Sequence, residues 1–140
     1  MPFLFDTDAI SEALRKRPAA GFLAWLSRLP RAEQFASAVS IGEMYRGAFR
    51  SPDRDRHLRN IEERVLPALT VLPFDTSVAR IYGELHAALS AVGRPLADED
   101  LQIAATALRF DLELVTGNLR HFSRIPGLVV NDVLSRSRER

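Results

Sequence analysis

The 140-residue sequence contains no cysteine, and this absence excludes two classes of site at once. Without cysteine the chain can form neither a disulfide framework nor a thiolate metal centre, so any bound metal ion must use oxygen or imidazole ligands. Lysine is nearly absent as well, because Lys16 is the only one and the other basic side chains are arginines. Arginine can pair bidentately with phosphate or carboxylate. A net charge of +1 gives no global sign of a nucleic-acid partner, so such a partner has to be sought in local clusters.

Long apolar runs are missing too. No apolar run approaches the roughly 18 residues needed to cross a bilayer. The N-terminal segment has neither the basic region nor the small-residue cleavage site of a secretory signal, so we expect a cytoplasmic protein that makes no membrane contact. A hydrophobic fraction of 46% with 26% charged residues is typical of a globular chain and excludes a disordered one. The length suits one compact domain.

Apolar segments alternate between the spacing of strands and the spacing of helices. Strands that alternate with helices, and that are apolar along their length, indicate a parallel sheet covered on both faces. The sequence therefore predicts an α/β domain with four to five parallel strands flanked by helices. We expect this domain to occupy residues 1–134, followed by a polar C-terminal tail at 135–140. The predicted strands are at 3–5, 35–39, 71–72, 112–116 and 128–130.

Three carboxylates stand where helices are predicted to begin. Asp6 follows the first strand, Glu43 lies near the start of the helix after the second, and Asp100 lies in the first turn of a later helix. Ligands of open α/β sheets bind beyond the carboxyl ends of the strands, so we expect these three acids to converge there. Converging carboxylates repel one another unless a cation lies between them, and oxygen ligands suit Mg²⁺ or Mn²⁺. A bound ion of this kind supports phosphodiester hydrolysis.

Each acid also has a purely structural explanation. Acidic residues in the first turn of a helix are favoured by capping and by the helix dipole. Ser40 and Glu43 have the spacing of a capping box, in which the Glu43 carboxylate would bind the backbone N–H of Ser40. Asp98, Glu99 and Asp100 form an acidic run of the kind that often marks a solvated helix start. Spacing alone leaves both explanations open.

Histidine and arginine provide weaker candidates. His121 could bind a metal ion or transfer a proton, although a single histidine is more often structural. Arg46 begins a series of arginines that could follow a phosphate backbone or simply form a solvated face. The other members of this series are Arg50, Arg54, Arg56 and Arg59.

Four segments follow one another along the chain: FLFDTDAIS, SIGEMYRGA, GRPLADEDLQIAATAL and LVTGNLRHFSRIPGL. Together they extend over nearly the whole chain, and in this order they resemble a PIN-domain ribonuclease of the VapC toxin type. The resemblance implies a parallel sheet with helices on both sides and a Mg²⁺-dependent endoribonuclease in which Mn²⁺ can substitute. The acids of this family fall on Asp6, Glu43 and Asp100, and Asp98 becomes an auxiliary candidate.

The segment TGNLRHF departs from the family pattern. A fourth acid usually lies within it, whereas this sequence has Asn118 and His121 there. The departure leaves open whether one metal ion or two would be bound. Asn118 could bind metal or orient a water through its carbonyl, and Thr116 could hydrogen-bond a carboxylate or a phosphate. Both are accessory candidates.

The resemblance also implies partners. It identifies the chain as the toxin half of a bacterial type II toxin–antitoxin pair that cleaves RNA. A VapB-type antitoxin would inhibit it by placing a C-terminal segment in the active-site groove. The family usually forms homodimers and toxin–antitoxin hetero-oligomers, and DNA would be reached only through the antitoxin. The apolar face with Phe22, Trp25 and Leu26 could serve an antitoxin or dimer contact, or simply form core.

Two other functions remain open. The segment FDTD offers Asp6 as nucleophile and Asp8 as acid of an aspartyl-nucleophile phosphatase. Against this function, Ala9 and Ile10 stand where that class has a Gly-Thr type turn, and Lys16 is poorly placed to serve as its later basic residue. The second alternative is a catalytically inactive module that keeps an acidic pocket for a basic partner, and the missing fourth acid keeps it open.

Overall fold

The computed structural model describes residues 1–139, in which five strands alternate with eight α-helices. Two short 3₁₀ turns at Arg31–Glu33 and Leu66–Ala68 and a π-helical segment at Asn60–Val65 complete the secondary structure of this range. No helix within it is both long and apolar enough to cross a bilayer. The strands are β1 (Phe3–Phe5), β2 (Gln34–Ser37), β3 (Thr70–Leu72), β4 (Glu113–Val115) and β5 (Val130–Asn131). The helices are α1 (Thr7–Leu14), α2 (Ala20–Leu26), α3 (Ala38–Arg50), α4 (Arg54–Arg59), α5 (Thr76–Ala91), α6 (Asp98–Phe110), α7 (Leu119–Phe122) and α8 (Val133–Arg138).

The five strands form one parallel sheet in the order β3-β2-β1-β4-β5, which confirms the predicted sheet. The chain moves from β1 to β2 and β3 on one side, then returns to place β4 and β5 on the other. Adjacent strands whose connections leave in opposite directions create a crevice at their carboxyl ends. Here this crevice lies between β1 and β4, where Phe5 is in register with Val115.

Two apolar layers enclose the sheet, as the predicted helices on both faces require. Successive strand residues point to opposite faces, so Leu4 and Leu114 enter one layer while Phe5 and Val115 enter the other. The first layer contains buried residues of α5 and α6, and the second contains residues of α1, α2, α3 and α8.

The apolar face of α2 belongs to the second layer. Phe22 is fully buried, and the ring of Trp25 packs edge-on against Phe3 with 5.1 Å between ring centroids. Leu26 is partly buried against the same cluster. Of the explanations offered by the sequence, core packing therefore accounts for these three side chains.

The predicted capping box at Ser40 is wrong. Strand β2 pairs with its neighbours only as far as Ser37, and the hydroxyl of Ser37 caps α3 by accepting a hydrogen bond from the Val39 N–H at 3.0 Å. Ser40 lies inside α3, where its hydroxyl is buried without a hydrogen-bond partner among the described residues. Helix α3 thus begins three residues earlier than the box required, and Glu43 is released from a capping role.

The expected tail boundary at residue 135 falls inside α8. Leu134 is fully buried, and the helix continues to Arg138, which pairs with Asp8 and Glu12 of α1. Residues 135–138 are therefore part of the packed domain, because α8 contributes to the second apolar layer and is joined to α1 by ion pairs. Residue 140 of the expected tail lies outside the described residues.

Candidate active site

Asp6 occupies the crevice between β1 and β4. Its backbone N–H donates to the carbonyl of Val115 at 3.1 Å, which continues the pairing of the two strands by one residue. One carboxylate oxygen caps α1 by accepting from the Ala9 N–H at 2.8 Å, and the other accepts from the Thr116 hydroxyl at 2.5 Å. The residue is 5% exposed. Both strand ends and the start of α1 thus fix this carboxylate in place.

The electrostatic environment of Asp6 disfavours its charge. Burial raises the pKa of Asp6 to about 6, although hydrogen bonds from Thr116 and the Ala9 N–H act in the opposite direction. The nearby carboxylates of Asp8 and Asp100 raise this pKa further. An acid in these surroundings gains from a cation placed beside it.

Glu43 reaches the same region from α3. Its Oε1 accepts a hydrogen bond of 2.6 Å from the hydroxyl of Thr7, the first residue of α1. Because Thr7 directly follows Asp6, this hydrogen bond places the Glu43 carboxylate near Asp6. The side chain that fixes Glu43 comes from a distant helix, whereas the predicted capping partner lay three residues away.

Asp100 lies in the first turn of α6 beside the loop after β4. Its Oδ2 is 3.5 Å from His121 Nδ1, a pair that is ionic when the imidazole is protonated. The Asn118 amide nitrogen lies 2.8 Å from the same ring nitrogen, and the Asn118 N–H donates to Thr116 Oγ1 at 2.9 Å. Thr116, Asn118 and His121 thus form a chain of contacts that joins Asp6 to Asp100.

These acids share one cavity of about 240 Å³, as the sequence predicted for Asp6, Glu43 and Asp100. In the part of the chain that the structure describes, however, no three histidine, aspartate or glutamate side chains are already gathered tightly enough to hold a metal ion. The cavity joins acids from three helices with two apolar side chains. Its walls are formed by Asp6, Thr7, Asp8, Glu43, Asp100, Ile103, Asn118 and Phe122.

Four candidates are not among the residues that line the cavity: Thr116 and His121 contact acids of its wall, whereas Asp98 and Arg46 lie apart from it. The Asp98 carboxylate accepts a hydrogen bond from the Tyr82 hydroxyl at 3.0 Å and is 3.6 Å from His86 Nε2, so it is engaged with α5. Arg46 is exposed on α3 and is not among the residues that line the cavity.

A second groove of about 420 Å³ shares Thr7 and Glu43 with the acid cavity. Its walls combine Arg15 and Arg56 with apolar side chains such as Met44. Of the arginine series singled out in the sequence, Arg56 is the member that lines this groove, and it is paired with Asp53 at 2.8 Å.

Two side chains that hold the acids, Thr7 and Arg138, are not predicted from the sequence. Thr7 fixes Glu43, and Arg138 binds Asp8 through two hydrogen bonds of 3.0 Å. The motif FDTD contains Thr7 and Asp8, so it could have drawn attention to both. No local signal connects Asp8 to an arginine 130 residues later.

Comparison with known proteins agrees with this geometry. The PIN domain family model matches residues 3–128. A protein named ribonuclease VapC2 from Haemophilus influenzae is 32% identical over 130 residues, which cover 91% of this chain and 95% of the relative.

Two solved structures extend the comparison. A DNA-bound VapBC structure from Salmonella typhimurium superimposes with a TM-score of 0.85 and 30% identity, and the match covers 95% of this chain and 98% of that one. A toxin–antitoxin complex from Klebsiella pneumoniae gives a TM-score of 0.67 at 25% identity, covering 90% of this chain and 94% of that chain. From its acid cavity, its fold and these matches, the chain belongs to the PIN-domain family and groups there with the VapC ribonucleases.

Proposed function

We propose that this chain is a metal-dependent endoribonuclease and the toxin of a type II toxin–antitoxin module, acting in the cytoplasm. The observation that carries the proposal is the meeting of Asp6, Glu43 and Asp100 at one cavity, at the carboxyl end of the sheet. The ribonuclease name of the H. influenzae relative supports the same reaction class.

The donor set suits Mg²⁺, with Mn²⁺ as a substitute. Asp6, Glu43 and Asp100 would hold the ion, because carboxylate oxygens are the ligands that these hard cations prefer. The raised pKa of Asp6 favours a cation here, since a positive charge would stabilise the ionised carboxylate. When bound, the ion supplies an activated water and stabilises charge on the phosphate.

The chain's own residues orient these groups. Thr116 and the Ala9 N–H hold the Asp6 carboxylate, and Thr7 holds Glu43. The Asn118 amide is assigned with its nitrogen toward His121, which leaves its oxygen available to accept a hydrogen bond from water. Ile103 and Phe122 form an apolar part of the cavity wall, which offers water no hydrogen-bond partner. This arrangement positions a phosphate and a water rather than activating a protein nucleophile.

The proposed partner is a VapB-type antitoxin. The matched structures from S. typhimurium and K. pneumoniae support this assignment, since the first is a VapBC bound to DNA and the second a toxin–antitoxin complex. The groove that shares Thr7 and Glu43 with the acid cavity offers room for an inhibitory segment. We further propose that the chain forms a homodimer within a toxin–antitoxin hetero-oligomer that contacts DNA through the antitoxin.

The alternative functions are less well supported. A phosphatase that uses Asp6 as nucleophile would need Asp8 free as an acid, whereas Arg138 binds both oxygens of Asp8. An inactive binding module would keep the same cavity, so it differs from the nuclease only in its lack of turnover.

The test is cleavage of total cellular RNA by the purified, antitoxin-free chain in Mg²⁺, in Mn²⁺ and in EDTA. Asp100→Asn removes an acid of the cavity, and Asp98→Asn is its matched control on the same helix turn. We expect discrete products that disappear in EDTA and in Asp100→Asn but persist in Asp98→Asn. A folded, metal-replete wild type that cleaves no RNA would overturn the proposal in favour of the inactive module.

A further inference from the structure

Arg138 of α8 makes four hydrogen bonds to two acids of α1. Its two terminal nitrogens each donate to one oxygen of Asp8 at 3.0 Å. Its Nε and Nη2 also donate to Oε1 of Glu12 at 3.0 and 2.8 Å. We call this arrangement of Arg138, Asp8 and Glu12 the Arg138 clamp. Bidentate guanidinium–carboxylate pairs fix orientation as well as distance.

The Glu12 side of the clamp is an anchor within the fold. The Glu12 side chain is only 2% exposed, and its second oxygen accepts from the Ala19 N–H at 3.0 Å. Burial opposes the charge of Glu12, but hydrogen bonds from Arg138 and the Ala19 N–H outweigh it and lower the Glu12 pKa. The carboxylate therefore stays ionised and holds Arg138 against α1.

The Asp8 side of the clamp faces the active site. Asp8 lies two residues after Asp6, in the first turn of α1, and it lines the same cavity as Glu43 and Asp100. An unpaired Asp8 would add a negative charge to a cavity that already holds three acids. Arg138 supplies a positive charge for this fourth carboxylate and fixes the direction in which it points.

The loop after β4 packs directly on the clamp. A Cβ atom at Gly117 would collide with the Asp8 carboxylate and with a terminal nitrogen of Arg138. Gly117 lies between Thr116, which binds Asp6, and Asn118, which lines the cavity. The Ser135 hydroxyl of α8 also donates to the Gly117 carbonyl at 3.3 Å. The position of this loop is thus set by α8 and the clamp together.

We propose that Arg138 is a positioning residue of the nuclease: it pairs with Asp8 so that this carboxylate does not join the Asp6, Glu43 and Asp100 set, and it positions the 116–118 loop against α1. The inference rests on the proposed function for its catalytic consequence. Arg138 is not among the residues that line the cavity, so it acts through Asp8 and Gly117 rather than on the substrate.

The test compares Arg138→Ala with Arg136→Ala, whose side chain on the same helix pairs with Asp132 at 2.7 Å. At saturating Mg²⁺, we expect Arg138→Ala to lower the RNA cleavage rate about tenfold, since small misplacements of catalytic groups cost this much or more. Arg136→Ala should stay within about twofold of wild type, as expected of an exposed surface pair. Adding Asp8→Asn to Arg138→Ala should restore much of the rate, because the released carboxylate is then gone.

Two results would overturn the proposal. One is an Arg138→Ala rate equal to that of Arg136→Ala, and the other is a double variant no faster than Arg138→Ala. If Arg138→Ala does not fold because Glu12 loses its partner, Arg138→Lys retains the charge but not the bidentate geometry. The same loss and the same rescue by Asp8→Asn are expected for that variant.

A wild type that cleaves no RNA would refute the proposed function but not the clamp. The clamp is then judged by hydrogen exchange of residues 6–12 and 116–118. Faster exchange in Arg138→Ala than in Arg136→Ala supports it, and equal exchange overturns it.

Discussion

At the residue scale, the same tripeptide occurs at two places in the chain, and the pKa of its aspartate is raised at one and lowered at the other. Phe-Asp-Thr occurs at 5–7 and at 74–76, and both aspartates cap a helix by accepting from the N–H three residues later, at 2.8 and 3.0 Å. Asp75 is exposed, and hydrogen bonds from that N–H and from a serine hydroxyl lower its pKa. Asp6 is buried, and burial raises its pKa to about 6. The local sequence favours both caps, but only the sheet decides which one is buried.

Asp6→Asn is expected to abolish RNA cleavage and also to stabilise the metal-free fold at pH 7. A shift of the Asp6 pKa from its ordinary 3.8 to about 6 means that the ionised side chain costs the folded state roughly 3 kcal/mol. Asparagine removes this cost but loses a hydrogen bond worth about 1 kcal/mol. Urea denaturation in EDTA should therefore show a gain of about 2 kcal/mol in the free energy of unfolding.

The stability gain expected of Asp6→Asn depends on pH, because the Asp6 pKa is higher in the folded protein than in the unfolded chain. The folded protein keeps the Asp6 proton up to about pH 6, whereas the unfolded chain releases it near 3.8, so the wild type loses stability as the pH rises between these values. The gain from Asp6→Asn should thus vanish near pH 4. Asp75→Asn is the matched control, and it should give no gain at pH 7. An equal gain from Asp6→Asn at pH 4 and pH 7 would contradict the account.

Thr7→Val tests whether the hydroxyl of Thr7 positions Glu43. The substitution removes the 2.6 Å hydrogen bond to Glu43 while keeping the shape of the side chain. We expect cleavage to fall about tenfold with a loss of stability of about 1 kcal/mol or less. Thr76→Val is the control, because Thr76 follows Asp75 in the other Phe-Asp-Thr and is exposed. Equal cleavage rates for the two variants would show that Thr7 does not position Glu43.

At the element scale, the sequence predicts the helices and strands that have a periodic apolar pattern. It misses helices that are short or whose position depends on contacts with residues distant in sequence. The strands and the helices α1, α2, α5 and α6 follow from apolar runs and helical spacing. Helix α7 has only four residues, too few to show a period. The sequence predicts a polar tail from residue 135, because Val133 and Leu134 are the only apolar residues of helix α8 and the residues after them are polar. The place of this helix is determined by Arg138 and by packing against α2, neither of which is a local feature.

Gly117→Ala tests the contact between the loop after β4 and the Arg138 clamp. The added methyl group would collide with the Asp8 carboxylate and Arg138, so the ion pair or the loop must shift. Because both contacted atoms end flexible, partly exposed side chains that can move, we expect a loss of about 1 kcal/mol or less in the free energy of unfolding, together with slower cleavage as the Asp8–Arg138 pair is displaced. Gly83→Ala is the matched control. Gly83 lies in helix α5, and a Cβ atom added there would have no neighbouring atom within 4 Å. That change should be neutral or stabilising by up to about 1 kcal/mol. If Gly117→Ala behaves in the same way, the loop does not depend on this close approach.

At the scale of the whole molecule, the strand order creates the site. Asp6 and Thr116 are 110 residues apart in sequence, and they meet because β1 and β4 are neighbours in the sheet. The sequence predicts that acids gather at the carboxyl ends of the strands, and the structure confirms this for Asp6, Glu43 and Asp100. Spacing alone could not separate Asp98 from Asp100, because the directions of their side chains depend on how α6 packs against α5; only the family resemblance favours Asp100. In the fold Asp98 faces Tyr82 of α5, whereas Asp100 faces the cavity.

Whether Asp6 after β1, Glu43 of α3 and Asp100 of α6 form one metal centre can be tested by locating Mn²⁺ with anomalous diffraction. Crystals of the chain, alone or with its antitoxin, would be soaked in Mn²⁺ and measured for anomalous scattering. We expect a strong anomalous peak in the cavity between Asp6, Glu43 and Asp100, which is lost in Asp100→Asn and retained in Asp98→Asn. A protein that cleaves RNA in Mn²⁺ but holds the ion elsewhere, or at Asp98, would contradict this expectation.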